Sequence, residues 1–360
     1  MKTATITFHA AHNYGSMLQA FALQQTLTAL GVDNEIINLR TDSQKEFYPR
    51  PELNAHNAIV TGTVRKMQRR YDLFEQFLIT RLKLTKEIAD PDNLASLSND
   101  YDLFIAGSDQ IWNPECHDFT FAYYLPFAGR KISYATSFGP HGSAVKEESE
   151  RIMHELLEYD AVSVREQSSA DIVRDLTGIE AEILPDPVAL LDKEYWEELA
   201  GAASVRKKGY IFTYHPFPRH VFVGLSRRIG RKLHMNNVTS LVRPTLSGVV
   251  KNSGFRKELE CGPLEFLNLV RHSSLVISGS FHAVMFAIIF ERPFFAINNG
   301  QDNRISHLLK VTGLEDRMID QENLNIRLAG WQKIDFSKAR KELERMKREG
   351  IDFLKRNCTL

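Results

Sequence analysis

Three cysteines in 360 residues, Cys116, Cys261 and Cys358, are too few and too scattered to form a disulfide framework. They also make no Cys/His pattern of the spacing zinc requires, so no metal is expected and a reducing compartment is. Net charge is absent as well: 45 basic residues face 45 acidic ones, which leaves no field to draw the chain onto nucleic acid. No apolar run approaches the roughly 20 residues of a membrane span, and the first one, from Thr3 to Phe8, is too short for a secretory leader. A cytoplasmic protein is therefore expected. The glycine-rich dinucleotide fingerprint is missing after the first strand, which argues against a nicotinamide cofactor. Internal repeats and low-complexity segments are missing too.

What is present is alternation. Short apolar runs over residues 3–8, 35–39, 102–106, 131–135, 161–164 and 182–184 read as buried strands. Helical spacing follows over 16–30, 144–158 and 168–177, and Gly31 stops the first of these helices. Ser16 with Gln19 three residues on fits a capping box. A second series has strands at 210–214, 238–242, 275–277 and from Phe294, with helices over 221–233, 263–271, 284–290 and 303–311. Strands alternating with helices of this length predict parallel, doubly wound α/β sheets. The length suits two domains: 1–195, Rossmann-like, and 205–330, also Rossmann-like, joined through the charged stretch 191–208 with its Gly201-Ala202-Ala203-Ser204. Residues 42–92 read as a helical excursion from the first domain. A charged final helix, 337–355 within a segment 335–360, is read as packing back on it. The basic group Arg65-Lys66-Met67-Gln68-Arg69-Arg70 suits a solvated helix face, with a peripheral membrane contact as the other reading.

Polar residues gather where strands end, the edge at which open α/β sheets bind ligands. Asn13, Tyr14, Gly15 and Ser16 follow the first strand and suit a sugar or an anionic group, or a plain turn and cap. Ser108, Asp109, Gln110 and Trp112 follow the next run. Asp109 and Gln110 can fix hydroxyls and Trp112 can face a pyranose ring, although a core tryptophan beside a capping Asp gives the same pattern. Arg165 closes another strand and asks for an anion, either protein carboxylate or ligand phosphate. His282 stands at a strand-to-helix junction, in Ser280-Phe281-His282, inside an otherwise apolar stretch that ends at Pro293. A core histidine is the alternative to a catalytic one. Arg304 and Arg317 are weaker candidates.

Taken in order, His12-Asn13-Tyr14-Gly15-Ser16-Met17-Leu18-Gln19-Ala20, Gly107-Ser108-Asp109-Gln110-Ile111-Trp112, Ser163-Val164-Arg165-Glu166, Asp186-Pro187, Ser280-Phe281-His282, Pro293-Phe294, and Arg304-Ile305 near Gly313-Leu314-Glu315-Asp316-Arg317 closely resemble the polysaccharide pyruvyl transferase family. Any one motif is weak; seven in sequence are specific. The resemblance implies two Rossmann-like domains facing across a cleft, as in GT-B glycosyltransferases. It further implies transfer of pyruvate from phosphoenolpyruvate, as co-substrate and with no cofactor, to a saccharide as a ketal in exopolysaccharide synthesis. His282 and Arg165 would be the catalytic pair, His282 as general acid and Arg165 at phosphoenolpyruvate. Asn13, Tyr14, Gly15, Ser16, Ser108, Asp109, Gln110 and Trp112 would lie on the saccharide side, with Ser280, Phe281 and Arg304 also at substrate. Family members commonly carry Thr-Asp before this Ser-Phe-His and Gly after it. Here Ser278-Gly279 precede and Ala283 follows, so His282 lacks a neighbouring carboxylate. A lipid-linked acceptor would bring the enzyme to the inner face of the membrane. A nucleotide-sugar glycosyltransferase and a non-catalytic saccharide-binding relative are the other two readings. The acceptor, the linkage and the oligomeric state are not legible in the sequence.

Overall fold

The computed structural model describes residues 1–55, 58–127, 129–139, 143–203, 209–216, 220–240, 246–297 and 303–358. Six strands, β1 (Lys2–Ile6), β2 (Asp33–Ile36), β3 (Leu103–Asp109), β4 (Lys131–Thr136), β5 (Ser163–Val164) and β6 (Glu182–Ile183), form one sheet in the order β2-β1-β3-β4-β5-β6. Five more, β7 (Tyr210–Tyr214), β8 (Asn236–Thr239), β9 (Arg256–Lys257), β10 (Leu275–Ser278) and β11 (Phe294–Ala296), form a second in the order β11-β10-β7-β8-β9. Every pairing between these strands is parallel. The α/β, doubly wound class expected from the alternation is the one observed. The 238–242 run forms strand over Asn236–Thr239, and 241–245 lie outside the described residues.

Parallel strands covered on both faces must be apolar on both, and side chains alternate between the faces. In β3, Leu103 and Ile105 join Leu23 and Leu27 of the helix Tyr14–Ala29 in one core. Phe104 and Ala106 enter the opposite core with Trp112 and Phe138. The last helix, Ser337–Cys358, adds Phe353, Leu354 and Cys358 to the first of these cores. Its Gly350 admits the close approach, because a Cβ there would lie 2.4 Å from the Tyr134 hydroxyl and 2.5 Å from Leu190 Cδ2. Burying a side chain such as Phe353 is worth about 1.5–3 kcal/mol.

The chain divides into two compact units whose segments interleave, which corrects the boundaries read from the sequence. The first comprises Met1–Pro49, Leu78–Leu191 and Glu344–Leu360; the second comprises Arg50–Phe77 and Asp192–Leu343. Residues 50–77 belong to the second unit because the helix Thr61–Arg81 buries Val64, Met67, Phe74 and Phe77 along one stripe, with Met67 against Leu259. Its basic group is split by that packing. Arg70 lies buried over the Phe74 ring, 4.7 Å from its centroid, and Arg69 pairs with Glu260 at 2.9 Å, while Arg65 and Lys66 face outward.

The stretch taken as a linker is also structured. Lys193–Gly201 is a helix of the second unit, where Trp196 meets Phe286 edge-on at 4.9 Å and Ala200 O accepts from Asn268 Nδ2 at 3.2 Å. Residues 204–208 of that stretch lie outside the described residues. Among the described residues no helix is long and apolar enough to cross a membrane.

Candidate functional site

In a parallel sheet the crevice for a ligand opens at the carboxyl ends of the two strands between which the winding reverses. In the first sheet that reversal lies between β1 and β3. The loop after β1 enters the helix Tyr14–Ala29, and Asn13, extended and half-buried, caps it: Asn13 Oδ1 accepts from Gly15 N at 3.0 Å. The capping box expected at Ser16 and Gln19 is therefore not formed. Ser16 lies inside the first turn and donates its Oγ to Asp109 Oδ2 at 2.7 Å, across the reversal; Gln19 Nε2 donates to Thr7 Oγ1 at 2.8 Å. A carboxylate is the stronger acceptor for the serine hydroxyl, and the cap is already supplied. Tyr14 and Gly15 are buried beneath this contact.

Asp109 ends β3 with φ +77, a left-handed conformation that Asp tolerates better than most residues. Gly107, two residues earlier, has φ +134, and a Cβ there would lie 2.1 Å from the Tyr134 carbonyl oxygen. Ser108 is fully buried and donates Oγ to Ala135 O at 2.7 Å. It holds β3 to β4 rather than facing a saccharide. Gln110 is half-buried, accepts from Asn113 Nδ2 at 3.2 Å, and gives its backbone N–H to Asp109 Oδ1 at 2.9 Å.

Trp112 corrects another expectation. It is fully buried, stacked on Tyr124 at 5.4 Å and 4°, with Tyr159 edge-on at 5.7 Å. Burial pushes both phenols well above their usual pKa. A dry aromatic nest of this kind is core, not a platform for a sugar ring.

Arg165 follows β5, and only 3% of its side chain is exposed. Its Nη1 donates to Asp186 Oδ2 at 2.8 Å; Nε lies 3.6 Å from Glu166 Oε2 and Nη2 lies 3.6 Å from Asp109 Oδ1. Glu166 in turn accepts from Ser169 Oγ, and Asp186 Oδ1 accepts from Val188 N at 3.1 Å. One guanidinium thus faces three protein carboxyls. An anion for Arg165 is supplied from within the unit, above all by Asp186.

In the second sheet the winding reverses between β7 and β10, and His282 stands there. The helix Phe281–Ile289 is buried along its whole length, and Ser280 at its N-cap makes no side-chain cap. The first N–H groups of such a helix have no acceptor within it. Phe281 and His282 rings meet edge-on at 5.3 Å, and the Arg304 guanidinium, half-buried, lies 5.7 Å from the Phe281 centroid. Arg304 thus lies over the ring of Phe281, the residue before His282. Arg317 is buried and donates to the Trp331 and Lys333 carbonyls, both at 3.3 Å, a structural role. Among the described residues no group of His, Cys, Asp and Glu could hold a metal ion.

The family model for polysaccharide pyruvyl transferases matches residues 13–301, from the cap of the first helix to beyond the His282 junction. The chain belongs to the polysaccharide pyruvyl transferase family. It is a transferase. No curated protein matches the sequence significantly. Solved structures do match along nearly the whole chain. A UDP-N-acetylglucosamine 2-epimerase from Rickettsia bellii is 10% identical with TM-score 0.55, covering 99% of this chain and 98% of its own. The UDP-GlcNAc 2-epimerase from Methanocaldococcus jannaschii is 12% identical with TM-score 0.52, over 94% of each chain. A glycosyltransferase involved in avilamycin A biosynthesis is 11% identical with TM-score 0.52, over 99% and 97%. At such identities the likeness shows the fold, two Rossmann-like units of GT-B type, and nothing finer.

Gly279, where the resemblance implies an Asp, has a physical explanation. A Cβ on Gly279 would lie 2.3 Å from His215 Cδ2, 2.7 Å from His215 Nε2 and 2.8 Å from Ile297 O. The His215 imidazole, half-buried at the end of β7 and edge-on to Phe222 at 5.0 Å, fills that volume. Sequence reasoning passed over His215, although the signal used elsewhere, a polar residue just after a buried strand, was there at Tyr210–Tyr214. Gly279→Ala is expected to displace the imidazole and lower turnover about 10- to 100-fold, since a shift near 1 Å can cost that much. Initial rates of transfer measure it, with the thermal midpoint as fold control. Gly279→Asp should lose activity likewise and recover part of it in the double variant with His215→Ser, a non-additivity expected of side chains in contact.

Proposed function

We propose that the protein transfers pyruvate from phosphoenolpyruvate to a sugar of a polysaccharide or its precursor, forming a pyruvate ketal and releasing phosphate. The observation that carries this reading is the group at the reversal of the second sheet: a histidine in the first turn of a buried helix, and an arginine over the ring of the neighbouring Phe281. Phosphoenolpyruvate has a carboxylate and a phosphate, and a cation with a helix N-terminus suits such a dianion. In this reading His282 gives a proton to the methylene carbon, which becomes the methyl group, and positive charge develops at the keto carbon. One sugar hydroxyl adds there and loses its proton. A second hydroxyl replaces the phosphate, which leaves with the C–O bond electrons and takes up that hydroxyl's proton. Proton transfer and charge stabilisation suffice for these steps, so no cofactor is invoked. To the saccharide we assign Asn13, Ser16, Asp109 and Gln110 at the reversal of the first sheet, where Asp109 accepts from Ser16 Oγ and Gln110 N.

The reading moves the cationic role from Arg165 to Arg304. Arg304→Ala is expected to raise the KM for phosphoenolpyruvate about 10- to 100-fold with a smaller change in kcat, the range for losing a charge-assisted hydrogen bond. Steady-state phosphate release checks it. The reaction itself is tested with phosphoenolpyruvate carrying labelled carbon and a panel of lipid-linked and nucleotide-linked sugars. Label appearing in an acid-labile ketal, one per phosphate released, supports the proposal; phosphate release without label in any sugar, or sugar transfer from a nucleotide donor instead, rejects it.

A further inference from the structure

The even balance of 45 basic and 45 acidic residues conceals an uneven distribution. Residues 199–257 hold 12 Lys and Arg and no Asp or Glu, and residues 53–71 hold Arg65, Lys66, Arg69 and Arg70, again with no acid. Both segments belong to the second unit, and the fold brings them together. The helix Leu246–Lys251 packs Val249 against Met67 of the helix Thr61–Arg81 and against Leu259, and it lies beside the turn Ala58–Val60. Arg227, on the helix His220–Leu233, ties this corner down: its Nη2 donates to the carbonyls of Lys251 at 2.8 Å and Ser253 at 2.9 Å.

What that packing leaves outside is apolar. Leu246 and Val250, one helical turn apart, stay 48% and 59% exposed, and Ile59 in the adjoining turn is 83% exposed. A single exposed aliphatic residue is ordinary, whereas three on neighbouring elements make a patch that asks for a partner. Next to it in the chain or on the tied helix, Arg65, Lys66, Lys251 and Arg228 are exposed, and among the described residues none of the four pairs with a carboxylate. The acids that follow this basic stretch are already taken, Glu258 by Arg256 at 3.0 Å and Glu260 by Arg69 at 2.9 Å.

We propose that this corner of the second unit docks on an anionic lipid surface, with Ile59, Leu246 and Val250 entering the headgroup layer and the four cations facing the lipid phosphates. Cations alone would suit any polyanion. The exposed aliphatic side chains single out a bilayer, because a nucleic acid is met by aromatic stacking and hydrogen bonds, which this patch does not offer. Charge and insertion together also supply the two signals that stable peripheral binding requires, where either by itself binds only marginally. None of these residues belongs to the pyruvyl chemistry, so the inference stands whichever acceptor the enzyme takes.

The full chain is floated with vesicles of phosphatidylcholine alone and of an equal mixture with phosphatidylglycerol. Binding to the mixed vesicles is expected, falling as added salt screens the charges. Replacing Arg228 and Lys251 together by Gln should weaken it about 25-fold, since each cation at an anionic surface is worth about fivefold. Ile59→Ser should weaken it about tenfold. All three sites are exposed, so the thermal midpoint is expected to hold. A single-stranded RNA oligonucleotide is the second probe. Vesicle binding that needs phosphatidylglycerol and is lost in Ile59→Ser supports lipid docking. No binding to the mixed vesicles, equal binding to phosphatidylcholine alone, or RNA bound more tightly than vesicles with both indifferent to Ile59→Ser overturns it.

Discussion

Replacing His282 with alanine is expected to lower pyruvyl transfer on the order of 10²–10⁴-fold, the usual worth of a positioned proton donor, while the protein stays folded. The reasons are local. His282 occupies the second position of the helix Phe281–Ile289, where alanine is a good helix former, and its ring meets that of Phe281 edge-on. The side chain is only 8% exposed, so truncation leaves a cavity and costs about 2–4 kcal/mol, several degrees in the midpoint for a chain of this size. His282→Gln keeps a hydrogen-bonding side chain of similar reach but cannot carry the proton. It should be as inactive as the alanine variant if the histidine acts as an acid. Activity retained in His282→Gln and lost in His282→Ala would make the ring a positioning group, and activity retained in both would remove it from the mechanism. The rate of phosphate release at saturating phosphoenolpyruvate separates these outcomes, because a loss confined to KM would instead indicate binding.

Arg165→Ala is expected to act on the fold before it acts on the substrate. Removing the guanidinium leaves Asp186, Glu166 and Asp109 facing one another in a buried pocket, and breaking a buried pair in this way costs about 3–5 kcal/mol. For a unit of this size that lowers the thermal midpoint by roughly 10 °C. Arg165→Lys retains the charge but presents a single ammonium where a planar fork met three carboxyls, so it should fall between wild type and alanine. Asp109 would then lose a cation 3.6 Å from its Oδ1 while keeping Ser16 Oγ and Gln110 N as donors, so transfer should decline with saccharide affinity rather than with phosphoenolpyruvate affinity. A variant with an unchanged midpoint and a lost affinity for phosphoenolpyruvate would show the opposite: an arginine that meets the ligand.

The two sheets were legible because buried parallel strands must be apolar, and a run such as Leu275 to Ile277 bounded by serines has no other fold to join. The strand ends were legible for the same reason, since a polar cluster directly after such a run must lie at the edge. What the cluster contacts was not. Ser16 looks like a cap until Asp109, far along the chain, offers a better acceptor, and Arg165 looks like a ligand site until Asp186 is folded against it. Trp112 reads equally well as ledge or core, and only Tyr124 and Tyr159 decide between them. The segment 50–77 was placed with its sequence neighbours because the apolar stripe of Thr61–Arg81 announces a partner without naming it.

The interleaving of the two units bears on the order in which the protein can be made. Domains ordinarily fold as they leave the ribosome, the amino-terminal one first. Here the earliest strand, β1, belongs to a unit whose core includes Phe353, Leu354 and Cys358, the last described stretch of the chain. The first unit therefore waits, with the Tyr134 face of its sheet uncovered, while the second is synthesised. A ribosome stalled before residue 344 would hold a chain with that face still bare, and a binder of nascent apolar surface, such as a chaperone, would find its target there.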